Sequence, residues 1–180
     1  MSAKLWSRGG LFEVDGITRH PHMTLYMARF PAGNETEICK RLAVLVGELQ
    51  PAKAMQTGFF LTPGGYYEVS YARGDDLMAL HLKVMGALHD LRYAPGHPVV
   101  EDYFAPYTPA QRTSAARWGY DLGGALYRPH ITVSRFGGPA PRDLPVADED
   151  LSFVVDRIGV FHADNMGAIT TEISTLTVGR

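Results

Sequence analysis

Two stretches decide how this sequence folds and what chemistry it carries: Pro21-His22-Met23-Thr24-Leu25 and Pro129-His130-Ile131-Thr132-Val133. Both have the pattern Pro-His-apolar-Thr-apolar, and their histidines are 108 positions apart. The chain contains 7 His, 12 Pro and 46% apolar residues. For that composition, chance gives about 0.02 copies of Pro-His-x-Ser/Thr-apolar, so two copies indicate a shared role.

The order of residues in each stretch predicts a strand with one polar and one apolar face. Side chains at positions i and i+2 of a strand point the same way. We therefore expect His22 and Thr24 to project together, and His130 and Thr132 likewise, while the apolar residues between them anchor each strand in a core. Laid side by side, the two strands would place two imidazoles and two hydroxyls in one cleft.

This set of groups suits a phosphodiester. Imidazole titrates near neutral pH, so one histidine can take a proton while the other gives one. The two threonine hydroxyls can hold the non-bridging phosphate oxygens as negative charge grows in the transition state. Such chemistry needs no metal ion.

The sequence around the two stretches predicts an α+β fold. Pro63-Gly64-Gly65, between two segments rich in apolar and aromatic residues, is typical of a hairpin turn. Hairpins between neighbouring strands give antiparallel sheets, which favours α+β over a doubly wound parallel fold. In chain order, the predicted elements are a strand at 22–30, a helix at 34–50, hairpin strands at 59–62 and 66–71, helices at 75–92 and 108–121, and strands at 126–136, 153–163 and 168–178.

Two of the predicted helices have recognisable N-terminal signals. Asn34 can cap the first, with Glu37 at the capping-box position. Thr108 can cap the third, and Pro109 follows it at the first helical position. Residues 137–150 are rich in Gly, Pro and Asp, and they predict a long surface loop.

Composition narrows the class of protein. The chain has 180 residues, 20% of them charged, and a formal net charge of -2. This length fits one domain, which we place at residues 1–180, and the apolar content excludes disorder of the bulk of the chain. A protein that coats nucleic acid non-specifically would be basic. We therefore expect a small or terminal phosphate to be met by a local site.

Cysteine content and hydropathy bear on the compartment. One cysteine, Cys39, excludes a disulfide within the chain. No segment reaches the roughly 18 apolar residues of a membrane span, and the start of the chain has no apolar segment of signal-peptide type. We expect a cytoplasmic protein that does not associate with membranes and that is a monomer.

The paired motifs resemble those of the 2H phosphoesterase superfamily, which includes 2′-5′ RNA ligase-like proteins and cyclic nucleotide phosphodiesterases. Its signature is two His-x-Thr/Ser-apolar motifs in an α+β domain of about this size. The resemblance implies a bilobal fold in which two antiparallel sheets, related by pseudo-two-fold symmetry and flanked by helices, enclose a central cleft. It also implies that His22 and His130 are catalytic and that Thr24 and Thr132 bind phosphate.

Further residues near the motifs are candidates for substrate contacts. Arg135 could clamp a phosphate with two hydrogen bonds, although strict alternation points it away from His130 unless a bulge or strand end intervenes. Tyr26 and Ser134 continue the His/Thr faces, and Tyr26 could stack on a base or serve in packing. Arg128 could line the edge of the cleft.

We expect neither a metal nor another cofactor, because the pair His20 and His22 has no carboxylate cluster beside it. The favoured function is a phosphoesterase that opens a cyclic phosphate, or cleaves or joins a 2′-5′ linkage. Its partner would be a nucleotide, an RNA terminus or a small phosphorylated sugar. Two alternatives are a non-catalytic module that binds phosphate or RNA ends, and a structural α+β domain in which the two histidines lie far apart.

Overall fold

The computed structural model describes residues 1–93, 106–164 and 167–179. Within these ranges helices and antiparallel sheets are mixed, so the predicted α+β class is confirmed. The helices are α1 (Ser2–Trp6), α2 (Glu35–Gly47), α3 (Asp75–Leu88) and α4 (Pro109–Trp118). The strands are β1 (Ala52–Ala54), β2 (Gln56–Leu61), β3 (Tyr66–Tyr71), β4 (His130–Arg135), β5 (Phe153–Val155), β6 (Arg157–Ala163) and β7 (Ile169–Thr177).

The described strands form three sheets, where the family resemblance implied two. The largest has the order β2-β3-β4, and β6 pairs with β7 in a separate ribbon. The predicted strand at 153–163 is interrupted at Asp156, whose carbonyl accepts a hydrogen bond from the backbone N–H of Val178. Its first part, β5, pairs instead with β1, a short alanine-rich strand that the sequence analysis did not predict.

The predicted strand at 22–30 is wrong in detail. This segment is extended but irregular, and its strand pairing is a single antiparallel bridge between Met23 and Ile131 of β4. Its backbone groups are used elsewhere, because the Leu25 carbonyl accepts from the His81 side chain and the Arg29 carbonyl accepts from the Tyr93 N–H. Pro21 has no N–H to give to a ladder. The bridge nevertheless sets this segment against β4.

The ends of α2 and α4 test the capping predictions. Thr108 caps α4 as predicted and forms a capping box with Gln111, and the helix begins at Pro109. The helix ends at Trp118 rather than near 121, because Gly119 takes the left-handed conformation with a φ of 72°. Asn34 does not cap α2 with its side chain, which instead donates to the Leu91 carbonyl at 2.6 Å.

The main core lies between the inner faces of α2 and α3 and the sheets. Buried residues that form it include Leu42, Val46, Leu77, Leu80 and Val84. The apolar residues of the two motifs pack against this core, as the alternation predicted; they are Met23, Leu25, Ile131 and Val133. Each motif is therefore anchored through its apolar positions, and its polar positions are left for the other face.

His81 of α3 connects the segment of the first motif with the loop that precedes the second motif. It is fully buried, and its ring stacks on Tyr127 with the centroids 4.1 Å apart. Its Nδ1–H donates to the Leu25 carbonyl at 2.5 Å, and its Nε2 accepts from the Gly124 N–H at 2.9 Å. Both ring nitrogens are therefore used, which fixes one neutral tautomer.

Residues 137–150 contain no helix or strand, as predicted for a loop. Among the described helices, none has the length and apolar character needed to cross a bilayer.

Candidate functional site

The two motifs lie side by side and face one cleft. Met23 and Ile131 are opposite each other in an antiparallel bridge, so the register places His22 beside Thr132 and Thr24 beside His130. All four side chains line the same cleft, whose volume is about 1670 Å³. The geometry thus contradicts the alternative in which the two histidines lie far apart.

Both imidazoles are anchored in the same way. Nδ1 of His22 is 2.9 Å from the His20 carbonyl oxygen, and Nδ1 of His130 is 2.7 Å from the Arg128 carbonyl oxygen. A carbonyl only accepts, so each Nδ1 carries a proton and each Nε2 is the nitrogen that exchanges protons with a ligand. In both cases the acceptor lies two residues earlier, across a proline of fixed φ. The sequence signal was the proline before each histidine.

The ionisation of His22 is biased toward the neutral form. Burial lowers its pKa below the ordinary value of 6.5, and the nearby charge of His130 lowers that pKa further, although hydrogen bonds to the backbone of His20 and Gly167 oppose both effects. A neutral imidazole whose Nδ1 carries the proton can accept a proton on Nε2 at neutral pH.

A buried carboxylate at the site was not predicted. Glu68 of β3 is 3% exposed and lies opposite Thr132 in the ladder between β3 and β4. One oxygen contacts Nη1 of Arg128 at 2.5 Å, and the other is 3.5 Å from Nε2 of His130. The signal in the sequence is a single charged residue within the strand Tyr66–Tyr71, because a buried charge requires a partner.

A β-bulge decides which side of β4 the last residues face. Tyr67 pairs with Ser134 and Glu68 pairs with Thr132, so Val133 is an extra residue in β4. The extra residue turns Arg135 to the cleft side, where it lies opposite Tyr66 with its guanidinium carbon 4.1 Å from the ring centroid. Its Nε–H donates to the Gly64 carbonyl at 3.1 Å.

The same bulge corrects the prediction for Ser134. Ser134 does not continue the face of His130 and Thr132, because Val133 shifts the alternation by one residue. Its side chain is fully buried on the other side of the sheet and donates to the Phe12 carbonyl at 3.0 Å. A substrate in the cleft would not reach it.

Arg128 and Tyr26 both line the cleft, but neither side chain is free. Arg128 pairs with Glu68 and lies over the Phe60 ring at 5.4 Å. The Tyr26 hydroxyl donates to the Trp118 carbonyl at 2.5 Å, and burial raises the pKa of Tyr26 to about 12. The geometry therefore favours the packing role of Tyr26 over base stacking. Phe60, 47% exposed, is an aromatic surface of the cleft that the sequence analysis missed.

Within the part of the chain that the structure describes, no three His, Cys, Asp or Glu side chains are grouped as a metal ion would require.

Comparison with known proteins identifies the fold. No protein-family model matches the sequence, and no curated protein matches it significantly. The solved structures do match. TT0787 of Thermus thermophilus is 17% identical with a TM-score of 0.60, and the alignment covers 88% of this chain and 78% of that one.

Two further structures carry functional names. One, described as a phosphoesterase, is 14% identical with a TM-score of 0.54, over 99% of this chain and 90% of that one. LigT of E. coli, solved in complex with 3′-AMP, is 13% identical with a TM-score of 0.50, over 94% of this chain and 85% of that one. At these identities the likeness concerns the fold. This chain therefore shares the fold of these solved structures.

Proposed function

We propose that this chain is a phosphoesterase that opens a cyclic phosphate, or cleaves or joins a 2′-5′ phosphodiester, with His22 and His130 as its proton-transfer groups. One observation carries the proposal: two imidazoles, each anchored through Nδ1 to a carbonyl, face one cleft with a threonine hydroxyl beside each. The fold shared with a solved phosphoesterase and with LigT supports it.

In the proposed reaction, each polar group of the cleft has a task. One Nε2 takes a proton from the attacking water or hydroxyl as the new P–O bond forms, and the other Nε2–H gives a proton to the oxygen that leaves. Thr24 and Thr132 donate hydrogen bonds to the non-bridging oxygens, on which negative charge grows. Arg135, turned to the cleft by the bulge, adds a fixed positive charge on the same side. No step in this scheme calls for a metal ion.

A nucleotide or an RNA end is the substrate class that we favour. LigT, which shares the fold, was solved with 3′-AMP, and Phe60 offers an exposed aromatic face on the wall of the cleft. Aromatic faces stack on bases of any sequence. The net charge of -2 disfavours a long non-specific nucleic-acid track, because such binding rests on many positive charges. A small phosphorylated sugar is the second substrate class.

A direct assay tests the proposal. The EDTA-treated protein is incubated with 2′,3′-cyclic nucleotides, a 1,2-cyclic sugar phosphate and a 2′-5′ dinucleotide, and products are resolved by chromatography. We expect turnover of at least one of them, and a loss of about 10²- to 10⁴-fold in kcat when His22 or His130 is replaced by alanine. The matched control is His89→Ala, since His89 is exposed and lies outside the cleft.

Two results would contradict the proposal. The first is activity that survives in the double variant His22→Ala/His130→Ala. The second is saturable binding of these ligands in a calorimetric titration with no product formed, which would identify the chain as a non-catalytic binding module.

A further inference from the structure

The two histidines share an anchor but differ in what surrounds Nε2. Glu68 Oε1 is 3.5 Å from Nε2 of His130, and that carboxylate is almost completely shielded from solvent. The charged neighbours that act on His22 are His20 and His130, and both oppose its protonation. Both rings share the Nδ1–carbonyl anchor, His22 has a further backbone contact with Gly167, and the charges around the two rings differ.

Resting on the function proposed above, we propose that Glu68 is a positioning residue that makes His130 the proton donor and His22 the proton acceptor. The paired motifs alone leave these two roles interchangeable. The strand β3 removes the ambiguity, because it presents one carboxylate to one of the two rings.

The length of the contact suits this role. A distance of 3.5 Å is longer than the 2.7–3.2 Å of a normal N–H···O hydrogen bond. Glu68 therefore stabilises the imidazolium by its charge without holding the Nε2 proton in a short hydrogen bond. That proton stays available to the leaving oxygen of a bound phosphate.

Other charges act on the same ring and must be weighed. Arg128 holds the second oxygen of Glu68 at 2.5 Å and opposes protonation of His130. His22, on the neighbouring segment, adds a like charge when it is protonated. Burial raises the pKa of Asp121, near α4, and the charge of His130 acts against that rise. Glu68 is therefore the carboxylate that directly faces Nε2 of His130, whereas the charged neighbours of His22 are cationic.

The reaction then balances with named roles. Nε2 of His22 removes one proton from water as its oxygen bonds to phosphorus. The P–O bond to the leaving oxygen breaks, its electron pair stays on that oxygen, and the Nε2–H of His130 protonates it. One water is consumed, and each histidine returns to its starting form by exchange of one proton with solvent.

The test follows ionisation rather than activity alone. In Glu68→Gln, His130 followed by its imidazole Cε1–H resonance should lose its proton at lower pH than in the wild type, because an opposite charge 3.5 Å from Nε2 has been removed. The resonance of His22 should move much less. The single variants His22→Ala and His130→Ala assign the two resonances among the seven histidines.

The pH dependence of kcat/KM gives a second readout. The alkaline limb reports the group that must be protonated, so Glu68→Gln should shift that limb to lower pH and leave the acid limb in place. Glu68→Asp keeps the negative charge, so its alkaline limb should lie close to that of the wild type. Arg128→Gln removes the cation that pairs with Glu68, so the carboxylate acts on His130 without competition. The alkaline limb should then shift to higher pH. Glu149→Gln removes a carboxylate from an exposed loop and should change neither limb.

Two outcomes overturn the inference. One is a folded Glu68→Gln protein in which the titration of His130 is unchanged; the other is a shift in His22 instead. If no substrate is turned over at all, the function proposed above fails, yet the NMR titration still decides whether Glu68 controls the charge of His130. If Glu68→Gln fails to fold, the opposite shift expected in Arg128→Gln decides the question.

Discussion

The segment at 21–30 and the strand β4 carry the same Pro-His-apolar-Thr pattern but are built differently. The first is irregular and meets β4 in one bridge, whereas β4 pairs with β3 along its length and contains a bulge. Both nonetheless hold the histidine Nδ1 on a carbonyl two residues earlier. The comparison teaches that the orientation of each imidazole depends on the local Xaa-Pro-His geometry, not on a regular ladder.

The difference between the two regions lies in their neighbours. β4 has β3 beside it, so His130 acquires Glu68, and Arg135 is turned toward the cleft. Among the described strands, none pairs with the other side of the segment at 21–30. Its hydrogen bonds run instead to His81 of α3, to the Trp118 carbonyl and to the Tyr93 N–H. A symmetric pair of motifs has therefore been given an asymmetric electrostatic setting.

The greatest change in rate is expected when the two histidine variants are compared on substrates whose leaving groups differ in their need for a proton. On a cyclic phosphate, either alanine variant loses about 10²- to 10⁴-fold in kcat. On a nucleoside p-nitrophenyl phosphodiester the leaving phenolate needs no proton, so His130→Ala should retain most of its activity while His22→Ala does not. The measurement is the ratio of kcat on the two substrates for each variant.

Equal losses in both variants on the aryl ester would mean that the two motifs do not divide the acid and base roles as Glu68 implies. A larger loss for His130→Ala would reverse the assignment of the roles.

A smaller effect is expected from the two hydroxyls. Thr24→Val and Thr132→Val keep the shape of the side chain and remove one hydrogen bond to a charged oxygen, worth about 1.5–3 kcal/mol, or roughly 10- to 100-fold in rate. Because the charge grows in the transition state, the loss should appear in kcat more than in KM. Steady-state kinetics of both variants measures it.

The two threonine variants also show whether both motifs hold their hydroxyls equally well. Similar losses would show that the irregular segment positions its hydroxyl as well as the regular strand does. A loss confined to KM, or none in either variant, would contradict a role for these hydroxyls in holding phosphate.

Local signals explain what could be predicted from the sequence. The capping box of Thr108 and Gln111 and the hairpin around Gly64 depend on residues a few positions apart, and both are present. The pairing of Glu68 with Arg128 joins residues 60 positions apart, and no pattern within β3 specifies the register that creates it. The bulge at Val133 is likewise a property of two strands together. For this reason the placement of Arg135 remained open and that of Ser134 was wrong.

The smallest effect concerns stability, and it tests the link between the two regions. His81 contacts Leu25 in the first and Gly124 ahead of the second, and burial lowers its pKa below the ordinary 6.5. The unfolded chain therefore binds a proton more readily than the folded one. The contribution of neutral His81 to the free energy of unfolding is fully present above about pH 6.5, and it is lost as the pH falls toward the pKa of His81 in the folded state.

Urea unfolding of the wild type at pH 7.5 and 5.5 should show a lower midpoint at pH 5.5. His81→Gln, which can still donate and accept but does not titrate, should narrow the difference without removing it, because the pKa of His22 is also lowered by burial. The control His89→Ala changes an exposed ring and should leave the difference as it is. An unchanged difference in His81→Gln would show that protonation of His81 does not couple the two motif regions, and that the acid sensitivity arises in the cleft.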